Sequence, residues 1–502
     1  MNVKRHTGFI QIWAVIFILA LTGCRARSIS PPGPSKEPAL SETAPPARGQ
    51  SYAEYDVSMD VNPDTRTITG VEKIKYTVTA DAGLDALFLR IYLNAFQENV
   101  SIKPYFPEFE NKIFKNGKDY GYMNIVNASV DNEDAAFTQA GTVLKITLPE
   151  RVQAQQTVNL TIQFNAYVPA INARTGANDQ AMWMGSFLPC MAVYDKEGWH
   201  TEPYYPAGDP FYTEAATYLV NVNTPADYTV IGPGSVTVSE SNQIKTTTFS
   251  STLIRDFAFV VSKAYQMEQI STGSGVEINF YHSTDMNDST AILALAKQSL
   301  EYYENLLSGY PYDSLNLVEC GLYGDMGMSY AQVIFLDENY LRTSTDWRLI
   351  AHEIGHQWFA GIIGNNQIQY AWLDEGMTTA LQEGIWLDDT QLYNKMLSDY
   401  SALSARLESL PHKSLSDDIS VYTNWSDYYN IQYIRAKLMI YNLRLKMGHE
   451  LFESFLKEYY AQYAFSIVDK DLFIITAQNV YKSDLSDFFA RWMDAETLPP
   501  LN

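Results

Sequence analysis

The stretch His352-Glu353-Ile354-Gly355-His356 constrains this chain more than any other five residues. On an α-helix, residues four apart lie one above the other, so His352 and His356 present imidazole nitrogens to one point in space. Glu353 is turned off that line yet stays within reach of it. After eighteen intervening residues, Trp372-Leu373-Asp374-Glu375-Gly376 brings a further carboxylate at Glu375. Two imidazoles and one carboxylate make three protein ligands for one zinc ion and leave the fourth tetrahedral corner to water. Glu353 then stands where a general base is needed to take a proton from that water. A bare pair of histidines at this spacing is commonly an ordinary amphipathic face. Here the glutamate between them, the apolar neighbours Leu349, Ile350, Ile354, Trp358 and Phe359, and the following Glu375 favour a metal. A purely structural zinc usually takes four protein ligands, one more than this pattern offers.

With 502 residues, 46% of them hydrophobic and 13% aromatic, the chain exceeds one ordinary core and has material for two. Its formal charge of −23 argues against nucleic acid or an anionic membrane surface as a partner. Residues 1–24 carry Lys4 and Arg5, then an apolar run from about Ile12 to Leu21 that is too short for a permanent membrane span. They read as a cleaved signal. Leu21-Thr22-Gly23-Cys24 resembles a bacterial lipobox, which implies a lipidated Cys24 and a lipid-anchored, extracytoplasmic place in a bacterial cell envelope. The alternative is a plain secretory signal with Cys24 incidental. Residues 25–50 hold Pro31, Pro32, Pro34, Pro38, Pro45 and Pro46 among Ser, Ala and Glu. Such a segment packs no core and reads as a semi-rigid tether of about 3.1 Å per residue where extended. Cys190 and Cys320 either pair or stay as two buried thiols, and sequence leaves both open.

Residues 51–265 alternate polar and apolar in short runs, as in Tyr55-Asp56-Val57-Ser58-Met59-Asp60-Val61 and Thr157-Val158-Asn159-Leu160-Thr161-Ile162. That pattern predicts antiparallel sheet without a convincing amphipathic helix. The period changes near residue 286. A helix is predicted over Thr290 to Leu307 and a strand over Ser314 to Cys320, and helices dominate from Thr343 onward. The fold class is therefore α+β, a β-rich domain followed over 266–502 by a mixed, mostly helical one that carries the metal motif.

Several segments together resemble the M1 family of zinc metallopeptidases, the aminopeptidase N relatives. They are Trp199 with Asp209-Pro210-Phe211-Tyr212, Thr224-Pro225-Ala226-Asp227-Tyr228, Arg255-Asp256-Phe257-Ala258, Gly327-Met328-Ser329-Tyr330, the zinc motif itself, Tyr433-Ile434-Arg435, and Asp484-Leu485 through Phe488-Phe489 and Trp492. The resemblance implies a saddle-shaped N-terminal β domain and a thermolysin-like catalytic domain acting on peptide substrates. It further implies that Tyr433 steadies the oxyanion and that Gly327, Met328 and Ser329 lie on a substrate-binding strand. The chain stops at Asn502 just past the closing helix, so the resemblance predicts a short form without the family's C-terminal helical domain and with a more open cleft.

One departure matters. Where family aminopeptidases hold the substrate's α-amine with a glutamate, this chain has Ser329, and a hydroxyl cannot replace that charge. Asp325, Glu319 or Glu202 are the substitute acids the sequence offers, Asp325 first because it is nearest. The competing expectations are an aminopeptidase with a substitute anchor, an endopeptidase or a peptidase for blocked N-termini, and a non-catalytic binding lipoprotein. The last predicts damage at Glu353, Tyr433 or a zinc ligand, and none is damaged. Asp374 is a candidate to orient the imidazoles by adjacency alone. Arg435 and Ala436 stand where the family has Lys-Gly, replacements expected to be structural.

Overall fold

The computed structural model describes residues 52–78, 83–284, 286, 288–324, 326–344 and 348–501. The expected signal, Cys24 and the tether lie outside them, as does Asp325. Among the described residues no helix is long and apolar enough to cross a membrane.

The strands of the first part are β1 (Tyr52–Asn62), β2 (Thr67–Thr77), β3 (Tyr122–Val130), β4 (Glu133–Asp134), β5 (Thr157–Tyr167), β6 (Ala216–Pro225), β7 (Ser235–Ser241) and β8 (Ile244–Ile254). They form one eight-stranded sheet in the order β7-β8-β6-β1-β2-β5-β3-β4. Strict alternation buries one face: Val57, Met59 and Val61 of β1 and Val158, Leu160, Ile162 and Phe164 of β5 point into the core. The expected antiparallel sheet needs one correction, because β1 runs parallel to β6. Those strands are joined by a long excursion rather than a hairpin, so the chain returns in the same direction. Two four-stranded sheets and a two-stranded one at Tyr194–Asp195 and Gly198–Trp199 complete this part. Helix in this part is confined, among the described residues, to short turns in the connections, such as the 3₁₀ turn Tyr92–Phe96 and the four-residue helix Glu110–Ile113.

A five-stranded sheet opens the second part, from β9 (Gln266–Ser271), β10 (Glu277–His282), β11 (Ser314–Cys320), β12 (Gly327–Tyr330) and β13 (Val333–Asp337), ordered β9-β10-β11-β13-β12. β12 is an edge strand, antiparallel to β13. Helix α1 (Ser289–Leu306) begins at Asp288, whose side chain accepts from the Ala291 N–H, and buries Ile292, Leu293, Ala296, Leu300 and Tyr303 at helical spacing. Its partner α2 (Arg348–Gly355) carries the metal motif, followed by α3 (Glu375–Leu381), α4 (Asp389–Leu407), α5 (Ala436–Met447), α6 (His449–Tyr463), α7 (Lys470–Tyr481) and α8 (Ser486–Asp494).

One core fills the β part and another the helical part. Between them Trp183, Ala258 and Val260 of the first part pack on Val318, Cys320 and Phe335 of β11 and its surroundings. Cys190 and Cys320 are both buried free thiols, Cys190 in the β core and Cys320 in this seam.

Candidate active site

α2 is short because Gly355 ends it, yet the helical turn carries on through His356, whose N–H reaches the His352 carbonyl at 3.2 Å. The two imidazoles therefore face the same way. α3 delivers Glu375 from its first turn, between them: Glu375 Oε2 lies 3.2 Å from His352 Nε2 and 3.2 Å from His356 Nε2, and the two nitrogens are 3.1 Å apart. Tetrahedral zinc with bonds of about 2.0–2.1 Å holds neighbouring donor atoms about 3.3 Å apart. The three side chains thus already occupy three corners suited to one zinc ion, with one ligand atom from each within 4.8 Å of the others.

Each ligand is oriented from behind. His352 Nδ1 faces Gln382 Oε1 at 3.2 Å, and His356 Nδ1 faces the Phe359 carbonyl at 3.2 Å. Both acceptors hold a proton on Nδ1 and leave Nε2 free to ligate. Asp374 does not fill this role. Its carboxylate accepts from Asn365 Nδ2 at 3.0 Å and from Gln367 Nε2 at 2.6 Å, so adjacency in sequence sends it to the opposite side of the chain from the imidazoles. Gln382 is seven residues beyond Glu375, two helical turns along one face, and that spacing is the signal by which sequence reading could have found it.

Burial disfavours charge throughout the site. It lowers the His352 pKa, and it lifts Glu353 to about 8. At His356 burial works the other way from the Glu375 carboxylate, and the carboxylate, with Glu353 and Asp374 behind it, prevails and raises the imidazole to about 10. Glu375 itself is disfavoured by burial but held well below the usual carboxylate range by His356 and His352.

Glu353 is buried against β12. A Cβ at Gly327 would stand 2.5 Å from Glu353 Cγ, so only glycine lets the edge strand pass this close. Tyr433 lies on a π-helical segment, Tyr429–Arg435, and its hydroxyl donates to Glu375 Oε1 at 2.6 Å. Of its neighbours, Tyr428 is buried with its hydroxyl against Gly208, where a Cβ would collide with it, and Tyr429 is 39% exposed on the cleft. Arg435 turns away to the carbonyls of Lys413, Trp492 and Ala495, and the Ala436 Cβ packs on Gly376.

A cleft of about 490 Å³ runs past these residues, and Gly327, Met328, Glu353 and Tyr433 all line it. Ser329 does not. Its hydroxyl accepts from Gln357 Nε2 at 2.7 Å and lines a separate cavity of about 60 Å³ behind His356. Two of the substitute acids are committed elsewhere: Glu319 pairs with Arg342 and accepts from the Ser283 N–H at 2.6 Å, and Glu202 binds His200 Nδ1 at 2.7 Å. Besides Glu353 and Glu375, Asp209 lines the cleft, a residue that the sequence marks only through its family resemblance. It forms a salt bridge with the buried Arg174.

Residues 292–492 match the sequence model of the peptidase family M1 domain. Every ligand, Glu353 and Tyr433 fall within that span. Relatives include leukotriene A-4 hydrolase of Xenopus laevis, 26% identical over 227 residues, which is 41% of this chain and 36% of that protein. The thyrotropin-releasing hormone-degrading ectoenzyme of Homo sapiens is 23% identical over 347 residues, 63% of this chain and 32% of that one. The chain thus spans about a third of the length of these relatives. An M1 zinc metallopeptidase from Deinococcus radiodurans has the same fold, with a TM-score of 0.66 and 19% identity over 90% of this chain and 97% of that one.

Proposed function

We propose that this M1 domain makes the protein a zinc-dependent peptidase that removes N-terminal residues from peptides outside the cytoplasm, anchored through a lipidated Cys24 and the tether of residues 25–50. The observation that carries the reading is the convergence of His352, His356, Glu375, Glu353 and Tyr433 on one end of a cleft bordered by a glycine-bearing edge strand. His352, His356 and Glu375 would hold a zinc ion, which would supply a Lewis acid for a carbonyl oxygen and lower the pKa of water to about 7. Glu353 takes the proton of the attacking water and returns it to the leaving nitrogen. Tyr433, its hydroxyl already beside Glu375, turns its proton to the carbonyl oxygen as charge develops there. β12 pairs with the extended peptide as an added strand. A solved Deinococcus radiodurans variant of the same fold holds the substrate Tyr-Ser-Ala, in keeping with a short peptide here.

A second reading, action on internal bonds or blocked termini, is favoured by Ser329, whose hydroxyl bonds Gln357 instead of facing the cleft. Zinc-loaded protein beginning near Tyr52 should be given one peptide in free and N-acetylated form. Stepwise release from the free peptide alone is expected; equal cleavage of both overturns terminal selection. Glu353→Gln should keep one zinc per chain and lose about 10²–10⁴-fold in kcat. A Glu353→Gln protein that stays active refutes the mechanism.

A further inference from the structure

α3 and the turn after it carry walls of two different cavities. Glu375, Thr379 and Gln382 line the catalytic cleft, whereas Ala380, Leu381 and Gly384 line a second chamber of about 230 Å³. Among the described residues the cleft and the chamber share no lining side chain. The chamber draws its walls from α1, α3, α4, α5 and α6, and Tyr302 of α1 fixes one of them by donating to the Leu381 carbonyl at 3.0 Å. Its lining divides by chemistry. Leu381, Leu392, Ile440 and Phe452 are buried and apolar. Arg444, half-covered, donates to Asp389 Oδ1 at 2.6 Å and to His449 Nδ1 at 3.0 Å, and His449 Nε2 lies 3.2 Å from Glu453 Oε1. The Asp389 side chain is 76% exposed, and an ion pair of that kind contributes little, so another carboxylate can take its place on Arg444. Tyr441 stands three residues before Arg444 on the same side of α5. It is 6% exposed, and its hydroxyl has no hydrogen-bond partner among the described residues.

A buried donor without a partner is costly to keep, and a guanidinium beside it is the group that binds carboxylates best. The chamber is smaller than the roughly 300–1,000 Å³ of sites for drug-sized molecules, which leaves room for something of amino-acid size. We propose that it binds a free apolar α-amino acid such as leucine. The side chain lies among Leu381, Leu392, Ile440 and Phe452, the carboxylate accepts from Tyr441 and Arg444, and the ammonium pairs with the acids of the rim, Asp389 and Glu453. Those acids disfavour a plain fatty acid, whose carboxylate brings no positive charge to meet them. The occupant lies against the helix that presents Glu375 to the metal site and leads into Gln382, the partner of His352. The binding site stands by itself; only its ligand's being a product of this enzyme rests on the peptidase reading above.

The test is calorimetric titration of L-leucine, L-leucinamide and N-acetyl-L-leucine into the zinc-loaded protein and into its Tyr441→Phe and Arg444→Met variants, whose changes lie in the chamber and not in the cleft. L-Leucine should bind the parent protein, at least tenfold more weakly after Arg444→Met and at least threefold more weakly after Tyr441→Phe. L-Leucinamide, which lacks the carboxylate, and N-acetyl-L-leucine, which lacks the ammonium, should each bind at least tenfold more weakly than L-leucine. Absence of leucine binding overturns the proposal. So does leucine binding that neither variant moves, which then belongs to the cleft, and so does leucinamide binding as tightly as leucine. If Arg444→Met fails to fold, Tyr441→Phe decides the matter, since the hydroxyl it removes is bonded to no described residue and its thermal melt should match the parent's. Turnover is not read, so failure of the peptidase reading would leave this result standing.

Discussion

At Glu72 the period of a strand puts a carboxyl group where nothing meets it. β2 is fixed by its neighbours with Ile68, Ile74 and Tyr76 inward, and Glu72 shares their row, opposite Val57 and Ile162. It is 0% exposed and neither carboxylate oxygen has a hydrogen-bond partner. Burial raises its pKa well above the ordinary value of 4.5. Between the ordinary and the raised value the folded protein keeps a proton that the unfolded chain has released, so stability from this group falls as pH rises. Glu72→Met should therefore stabilise the protein by about 1–3 kcal/mol near pH 5. The gain should be larger at pH 8, and thermal melts of both proteins at the two pH values measure it. A gain that shrinks with pH would mean the carboxylate has a partner. Sequence shows the period of β2 plainly but not its face: Val71 is 37% exposed while Glu72 is inside, the reverse of hydropathy, because the whole sheet sets the register. The metal motif is the opposite case. His352, Glu353 and His356 are legible because their geometry is settled within one helical turn. The Phe359 carbonyl and Arg174 are not, since a backbone acceptor has no residue signature and Arg174 lies far from its site in sequence.

Elements were most legible where local periodicity is strong. The strand Ser314–Cys320 coincides with its expected range, and the helix expected over Thr290 to Leu307 begins and ends one residue earlier because Asp288 caps it. The π-helical turn at Tyr429–Arg435 had no local signal. It depends on packing against α3 and α5, which no window of residues contains. β12 is legible as a strand but not as one anchored to the metal helix. Gln357, one residue past the second imidazole, accepts from Tyr310 Oη at 2.8 Å and from the Gln332 N–H at 2.9 Å, and donates to the Tyr330 carbonyl at 2.9 Å. The strand and the base are thus held as one piece. Gly327→Ala pushes them apart, since its methyl group must displace Glu353. Loss of at least about 10² in kcat/KM is expected from a misplacement on this scale, with zinc content kept at one per chain. Normal turnover by Gly327→Ala would show that β12 gives way freely and that Glu353 is not fixed by it.

On the scale of the molecule, Arg255 ties the two parts together. Its guanidinium donates to the Thr213 carbonyl at 2.9 Å in the first part, to Gly361 at 2.9 Å and Ile362 at 3.2 Å just beyond the metal motif, and to Ser466 at 2.7 Å after α6. The two-part division was visible in the change of periodicity near residue 286. The tie was not, because its acceptors are backbone carbonyls from three distant segments. Together with the apolar seam around Trp183 and Phe335, it makes separate unfolding of the parts costly: each would expose buried apolar surface and carbonyls emptied of their donor. One cooperative transition is therefore expected in urea, with tryptophan fluorescence and far-UV circular dichroism coinciding. Arg255→Met should lower stability by at least about 3 kcal/mol, because several charge-assisted hydrogen bonds go at once. Arg255→Lys should recover little of it, since an ammonium cannot reach these carbonyls as a planar fork does. If the two probes separate already in the parent protein, the parts unfold independently and Arg255 is a local contact. If they separate only in Arg255→Met, the guanidinium is what makes the metal domain and the β part fold as one.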